Sequence, residues 1–445
     1  MAQGWSLRGA PGGAHGGGAV RSRLKPRVSR VVRCYMNGSS WPSHSLLVFA
    51  VALVASGCAQ DEGESLHQRW DSAGIEIVES RLPLWEEDEG WTIEEEPLVD
   101  LGGPGGPPEA QFYIVTGTVV LPDGRIVVGH RGTNELVFFG PDGTFLEAHA
   151  GEGGGPGEFW GLYRLWLLQP DSLLVYDELE RRVSIFDARG TFIRSWNPRH
   201  PDDEGVWISP ISLAGDGSAI FGTRPEGWEI PRGASKDSLV FHRFDRDGNH
   251  LDSLGLFPWR ESYRSTPRKT GTYSSRSWFS GLPFGRRSRI SPFQGGFLVG
   301  RSEGYEIEIY SAQGNLLRLI RRPVPNRPVT TADISALKQD WLEDEVEEGM
   351  QSEFNRWVAD MEFPETMPPY GRILGDQEGN LWVWDYSPPG NPVSRATVFD
   401  PEGRMLGAVD TPPVRAVFQI GAGFLLAFTR DEMDVEHVQV FRLHR

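Results

Sequence analysis

One phrase recurs along this chain: an apolar strand, Phe-Asp-x-x-Gly, then a second apolar strand. It reads Phe139-Gly140-Pro141-Asp142-Gly143, Phe186-Asp187-Ala188-Arg189-Gly190, Phe244-Asp245-Arg246-Asp247-Gly248, Tyr310-Ser311-Ala312-Gln313-Gly314 and Phe399-Asp400-Pro401-Glu402-Gly403. A sixth copy stops at Phe441, four residues before the end. Asp, Pro and Gly at these spacings are hairpin-turn chemistry, with Gly supplying a positive φ. Each repeat is then one antiparallel sheet, which cannot bury both of its faces alone. Radial stacking of such sheets buries them all, the arrangement of a β-propeller.

Ahead of each phrase lies a very apolar run: Ile126-Val127-Val128, Leu173-Leu174-Val175-Tyr176, Ala219-Ile220-Phe221, Phe297-Leu298-Val299, Leu381-Trp382-Val383-Trp384 and Phe424-Leu425-Leu426-Ala427-Phe428. Continuous apolar runs bounded by turns read as strands covered on both faces. A shorter strand and a turn such as Pro122-Asp123-Gly124 precede each run, giving four strands per blade and six blades. The expected fold is therefore all-β, a six-bladed propeller of four-stranded antiparallel blades over residues 73–445. The sixth blade lacks a fourth strand. The N-terminal stretch is expected to supply it, through Gly74–Val78 or Trp91–Ile93, which would remove an exposed sheet edge.

These phrases, with Gly151-Glu152-Gly153-Gly154-Gly155-Pro156-Gly157-Glu158-Phe159, resemble NHL-type repeats. The chain as a whole resembles bacterial six-bladed propeller lipoproteins from about Ser72 to the C-terminus. The resemblance implies the fold. It does not imply an activity, because propellers host binding, scaffolding and catalysis alike.

Residues 1–57 are a different material, with seven Lys and Arg and no Asp or Glu. The apolar core Leu46–Val54 and then Ala55-Ser56-Gly57-Cys58 follow. A basic region, a short apolar core and small residues before a cut site make an export signal. Cys58 after Ala-Ser-Gly resembles the site of lipid attachment in bacterial lipoproteins. Residues 58–72 read as an acidic tether. The expected location is the cell envelope, at the outer membrane or in the periplasm if the cell has two membranes and at the cell surface otherwise. The membrane would be a partner through lipid on Cys58.

Without the first 57 residues, 37 basic side chains face 61 acidic ones, a balance of −24. That excludes non-specific nucleic-acid binding. Only Cys34 and Cys58 exist, so no disulfide is expected. The eight His beyond residue 57 form no His-x-x-x-His pattern, and neither a Gly-x-Ser-x-Gly elbow nor an Asp-rich calcium loop occurs. The Gly151–Glu158 stretch lacks the Gly-Lys-Ser/Thr ending of a phosphate loop and reads as a link between blades 1 and 2. No cofactor and no metal site are expected.

Two features stand out. Arg164, Arg289, Arg372 and Arg415 each fall near the start of an innermost strand, where they would ring one mouth of the central channel. Guanidinium groups grip carboxylate or phosphate in a bidentate way. The alternative is that each Arg bridges to an acid of the next blade. The second feature is a pair of insertions, 257–288 and 321–370. The first is basic and aromatic, and its Trp259 and Trp278 are candidate stacking residues. The second opens on Thr330/Thr331 as a helix cap and places Ile334, Leu337 and Trp341 at helical spacing. The inserts would pack on each other, basic against acidic, or form a lid over a ligand groove.

The function expected is a binding or interaction module for an acidic small molecule or glycan, or for a protein partner. The alternatives are a lactonase-like hydrolase or a lyase with Ca²⁺ or Zn²⁺ at the channel mouth, and a scaffold subunit without a small ligand.

Overall fold

The computed structural model describes residues 66–445, apart from 87–88, 104–106, 169–170, 201–207, 230, 266–268, 271–272, 275–278, 345–350 and 389–393. The leader, Cys58 and Trp278 lie outside the described residues. Among the described residues no helix is long and apolar enough to cross a membrane.

Among the described residues, six sheets of four or more strands follow one another along the chain. Blade 1 holds Val115–Val120, Ile126–His130, Glu135–Phe139 and Phe145–Ala150, and blades 2 to 5 repeat that order. The second strand of each blade is covered on both faces, as its apolar run requires. Ile126–His130, Ala219–Thr223 and Gly296–Gly300 are buried throughout.

The recurring phrase makes the third turn of each blade. The N–H of Gly143, Gly190, Gly248, Gly314 and Gly403 each donates to the carbonyl three residues earlier, at 2.9–3.1 Å. All five glycines have φ between +75° and +89°. The register of the hairpin slips by one residue beside each of them, as a type I turn closed by a left-handed glycine demands. In blade 3 the Asp245 carboxylate accepts from the N–H groups of Asp247 and Asn249 at 2.8 Å.

The apolar clusters lie between blades. Phe138 and Phe159 join blades 1 and 2. Tyr176 and Phe221 join 2 and 3, Phe241 and Phe297 join 3 and 4, and Leu298 and Leu381 join 4 and 5. Trp382 and Phe441 join 5 and 6, while Leu426 and Ile126 join 6 and 1. Six sheets sharing six consecutive interfaces, the last returning to the first, form a closed ring: a β-propeller.

Closure differs in part from expectation. Thr92–Ile93 pairs with Leu443–His444, and Val99–Leu101 pairs with Val438–Val440, so the Trp91 alternative completes blade 6 and a second short strand extends it. Ile75–Ser80 goes elsewhere. It lies parallel to Leu316–Arg321 on the outer edge of blade 4, and His67–Ser72 pairs on its far side. The strand therefore begins inside the stretch read as a tether. Between the two attachments the chain crosses blade 5, where the Trp85 N–H donates to the Leu406 carbonyl at 2.8 Å. Trp91 then stacks near Trp85 and Trp382, with the Arg445 guanidinium 4.4 Å from its ring centre. The alternating Ile75-x-Ile77 pattern fits any free edge; only the three-dimensional position of each edge selects between them.

The first insertion starts later than its sequence suggests. Residues 257–264 continue a fifteen-residue strand, His250–Arg264, paired to the long strand Gly233–Phe244. The second insertion carries helices α1 (Thr331–Asp344) and α2 (Gln351–Ala359). Thr330 caps α1 as expected: its hydroxyl accepts from the Asp333 N–H at 3.3 Å, and the Asp333 carboxylate accepts from the Thr330 N–H at 2.9 Å.

Candidate anion site at the channel mouth

The first strand of each blade is the innermost one, and the inner strands of blades 1 and 2, 3 and 4, 4 and 5, and 6 and 1 touch. Their side chains are only partly buried, in contrast to the second strands, so they line the channel. Arg164 lies in Leu162–Leu168, Arg289 begins Arg289–Phe293, Arg372 lies in Tyr370–Gly375 and Arg415 precedes Ala416–Ile420. Two of the four are aimed by the same local device. Tyr163 and Gly371 are extra residues at register shifts, and Arg164 and Arg372 follow them directly. Such a bulge redirects the next side chain, and bulges gather beside functional sites.

The structure brings the four together and adds a fifth. Arg287 and Arg372 both act electrostatically on Arg289, and Arg164 acts on Arg287. Arg372 Nη2 donates to the Arg415 carbonyl at 2.6 Å. Arg164 lies 4.5 Å from the ring centre of Tyr163. Arg287 precedes Arg289 by two residues on extended chain, which puts both on one face. That spacing was legible in the sequence, but the pair sits at the end of an insertion and read as part of its basic composition.

None of these five guanidinium groups has a carboxylate partner among the described residues. The inter-blade salt bridges expected as an alternative are therefore not formed by them. Burial holds Arg289 down to about 9, and the cations Arg287 and Arg372 add to this while the Tyr386 hydroxyl opposes it. Burial lowers Arg372 to about 10. Arg287 is lowered too, by the protein crowded around it, although its own surface is open to solvent. Arg289 and Arg372 nevertheless remain charged at neutral pH.

Two other basic residues of the first insertion are occupied. Arg286 pairs with Glu261 at 3.3 Å, and Arg260 lies 3.6 Å from the fully buried Asp237. Trp259 packs against the apolar cluster between blades 3 and 4 rather than among the arginines. The two insertions do pack on each other, but through apolar side chains: Phe284 meets Leu337 and Met367, with Ile334, Trp341, Phe363 and Tyr386 around them. The Tyr263 hydroxyl donates to the Asp360 carbonyl at 3.1 Å. Tyr386, which sequence reasoning missed, thus belongs both to the cap and to the surroundings of Arg289. Among the described residues no group of three or more His, Cys, Asp or Glu converges as metal ligands would.

No protein-family model matches the chain, and no curated protein matches it in sequence. Among solved structures it is similar to a protein from Bacteroides fragilis described as exported, at 10% identity over 83% of this chain and 99% of the other, with TM-score 0.44. It is similar to a member of the DUF4221 family from Bacteroides vulgatus at 12% identity over 80% and 99%, with TM-score 0.47. It is also similar to virginiamycin B lyase from Staphylococcus aureus at 10% identity over 80% and 100%, with TM-score 0.35. These are likenesses of fold.

Proposed function

We propose that this chain is an envelope-anchored β-propeller that binds an acidic small molecule or glycan at its channel mouth. The supporting observation is the group Arg164, Arg287, Arg289, Arg372 and Arg415, which gathers five cations without a carboxylate partner among the described residues. Bringing like charges together in a partly desolvated place is unfavourable, and an anion relieves it. The rest of the chain is strongly acidic, so a local positive field focuses anions on this mouth. Anchoring through Cys58 would hold that mouth at the envelope.

The test is Arg289→Ala with Arg372→Ala, titrated with uronic acids, phosphosugars and dicarboxylates. Charge-assisted hydrogen bonds lose about 1.5–3 kcal/mol each on truncation, so affinity should fall at least about a hundredfold with the fold intact. If the wild type is stabilised by no anion, and the double mutant melts lower than the wild type, the arginines are structural and the proposal fails.

A further inference from the structure

Two aromatic side chains stand exposed on the same rim, and each is held there by the same construction. Tyr113 lies two residues ahead of the inner strand of blade 1, and Trp160 two residues ahead of that of blade 2. In both blades the first residue of the inner strand pairs with the last of the second strand, Val115 with His130 and Leu162 with Asp177. The side chain of that last residue then holds the N–H of the aromatic. The Tyr113 N–H donates to His130 Nε2 at 3.0 Å, and the Trp160 N–H donates to Asp177 Oδ2 at 2.8 Å. Both backbones are thus pinned, while Tyr113 is 70% exposed and Trp160 46%.

The exposure of Tyr113 has a cost. Ile114 beside it adopts φ +63°, a left-handed conformation that a β-branched residue rarely takes. The Gly132 N–H donates to the Tyr113 carbonyl and the Arg131 N–H to the Ile114 carbonyl, at 3.0 and 3.1 Å, and these bonds hold the geometry. Strain retained at one position beside an exposed aromatic points to use. The two aromatics are not isolated. Arg131 of blade 1 pairs with the buried Glu178 of blade 2, and the Leu162 N–H donates to Asn134 Oδ1 at 3.0 Å, so the two rims are locked together. Exposed Leu179 packs over Gly161 beside Trp160 and widens the apolar surface.

The platform runs into the arginine group. Trp160 lies four residues ahead of Arg164, at most about 13 Å along the chain, with the bulge at Tyr163 between them, a span that suits linked sugar rings. We infer that Tyr113 and Trp160 form a stacking platform for an acidic oligosaccharide, one uronate of which seats its carboxylate among the arginines while neighbouring pyranose rings lie on the aromatics. This rests on the reading of the channel mouth as an anion site. The chemistry suits that ligand: the C–H face of a pyranose carries slight positive charge and meets the negative face of an aromatic ring. The acidity of the chain as a whole keeps nucleic acid away.

The experiment titrates the full chain with galacturonic acid, tetragalacturonate, a neutral tetrasaccharide and an acidic tetrapeptide, following Trp fluorescence and calorimetry. Wild type should bind tetragalacturonate at least tenfold more tightly than the monomer. Tyr113→Ala with Trp160→Ala should abolish that advantage and leave monomer affinity unchanged. Tyr113→Phe with Trp160→Phe should restore it. Arg289→Ala with Arg372→Ala should weaken monomer and oligomer alike. Monomer binding without an oligomer advantage overturns the platform and leaves the anion site standing. An oligomer advantage that survives loss of both aromatics also overturns it. Absence of any anion binding overturns both readings. A preference for the acidic peptide over the oligosaccharide overturns the ligand class.

Discussion

Gly248 shows how much one repeat position carries. Its φ is +86°, and a Cβ there would lie 2.5 Å from the Trp196 ring. Gly227 has a similar φ of +70° but open space around it. Gly227→Ala should therefore cost only about 1–2 kcal/mol, the price of a left-handed alanine. Gly248→Ala should cost about 2–4 kcal/mol, because the indole must also shift. Urea denaturation of both variants measures the difference. Arg289 makes the opposite case. Its charged form is disfavoured in the fold, so Arg289→Met should raise the melting temperature without added anion, by one or more degrees. A fall would mean an unseen partner. His130 supplies the pH dependence. Burial lowers its pKa, against the raising influence of Glu135 and Glu436. With Nε2 accepting from Tyr113 and Nδ1 facing the Thr133 hydroxyl at 3.1 Å, the neutral ring is the one the fold uses. The unfolded chain thus takes up the proton more readily, at about pH 6.5. Stability from this site is complete above that value and falls as the pH drops below it. Melting curves between pH 7 and 5 should show the decline, and His130→Asn should flatten it.

Among the elements, the strand that closes blade 6 is the most consequential. Leu101 is 2% exposed and packs with Val438, Val440 and the blade 1 strands, so it belongs to the interface where the ring begins and ends. Leu101→Asp should destabilise by about 4 kcal/mol or more, combining a lost core side chain with a buried unpaired charge. It should also yield oligomers on size-exclusion chromatography, since the freed strand Glu436–His444 is an apolar edge. Trp70 sits on the outermost strand beyond blade 4 and is 39% exposed. Trp70→Asp should change stability by less than about 0.5 kcal/mol. Equal effects of the two substitutions would refute the role of Val99–Leu101, beside Thr92–Ile93, in closing blade 6. The insertions illustrate the other side of the same point. The helical spacing of Ile334, Leu337 and Trp341 and the Thr330 cap were legible, because both are local. The partner surface, Phe284 and Met367, was not, because apolar residues carry no address.

At the scale of the whole molecule, the proposed lipid anchor can be tested apart from the ring. The blades form a closed cycle of interfaces, and the proposed lipid site, Cys58, lies outside the described residues. If lipid on Cys58 is the anchor, Cys58→Ser should release the protein from membranes into the soluble fraction. Fractionation identical to wild type would show that the thiol is not the anchor.

The turn chemistry of Phe-Asp-x-x-Gly, the doubly covered second strands and the four-strand repeat were all written in the sequence, because each depends on residues within a few positions of one another. The number of blades followed by counting. Two things needed the tertiary structure. The first is which edge each N-terminal strand joins: Ile75–Ser80 and Val99–Leu101 have similar patterns, and a backbone ladder accepts either. The second is which arginines lack partners. Arg243 is matched by Asp216 and Asp252, and Arg430 by Asp434 and Glu436, while Arg289 and Arg372 are unmatched among the described residues. Composition counts charges, but pairing is a matter of distances between residues remote in sequence, and those exist only once six sheets have closed around a channel.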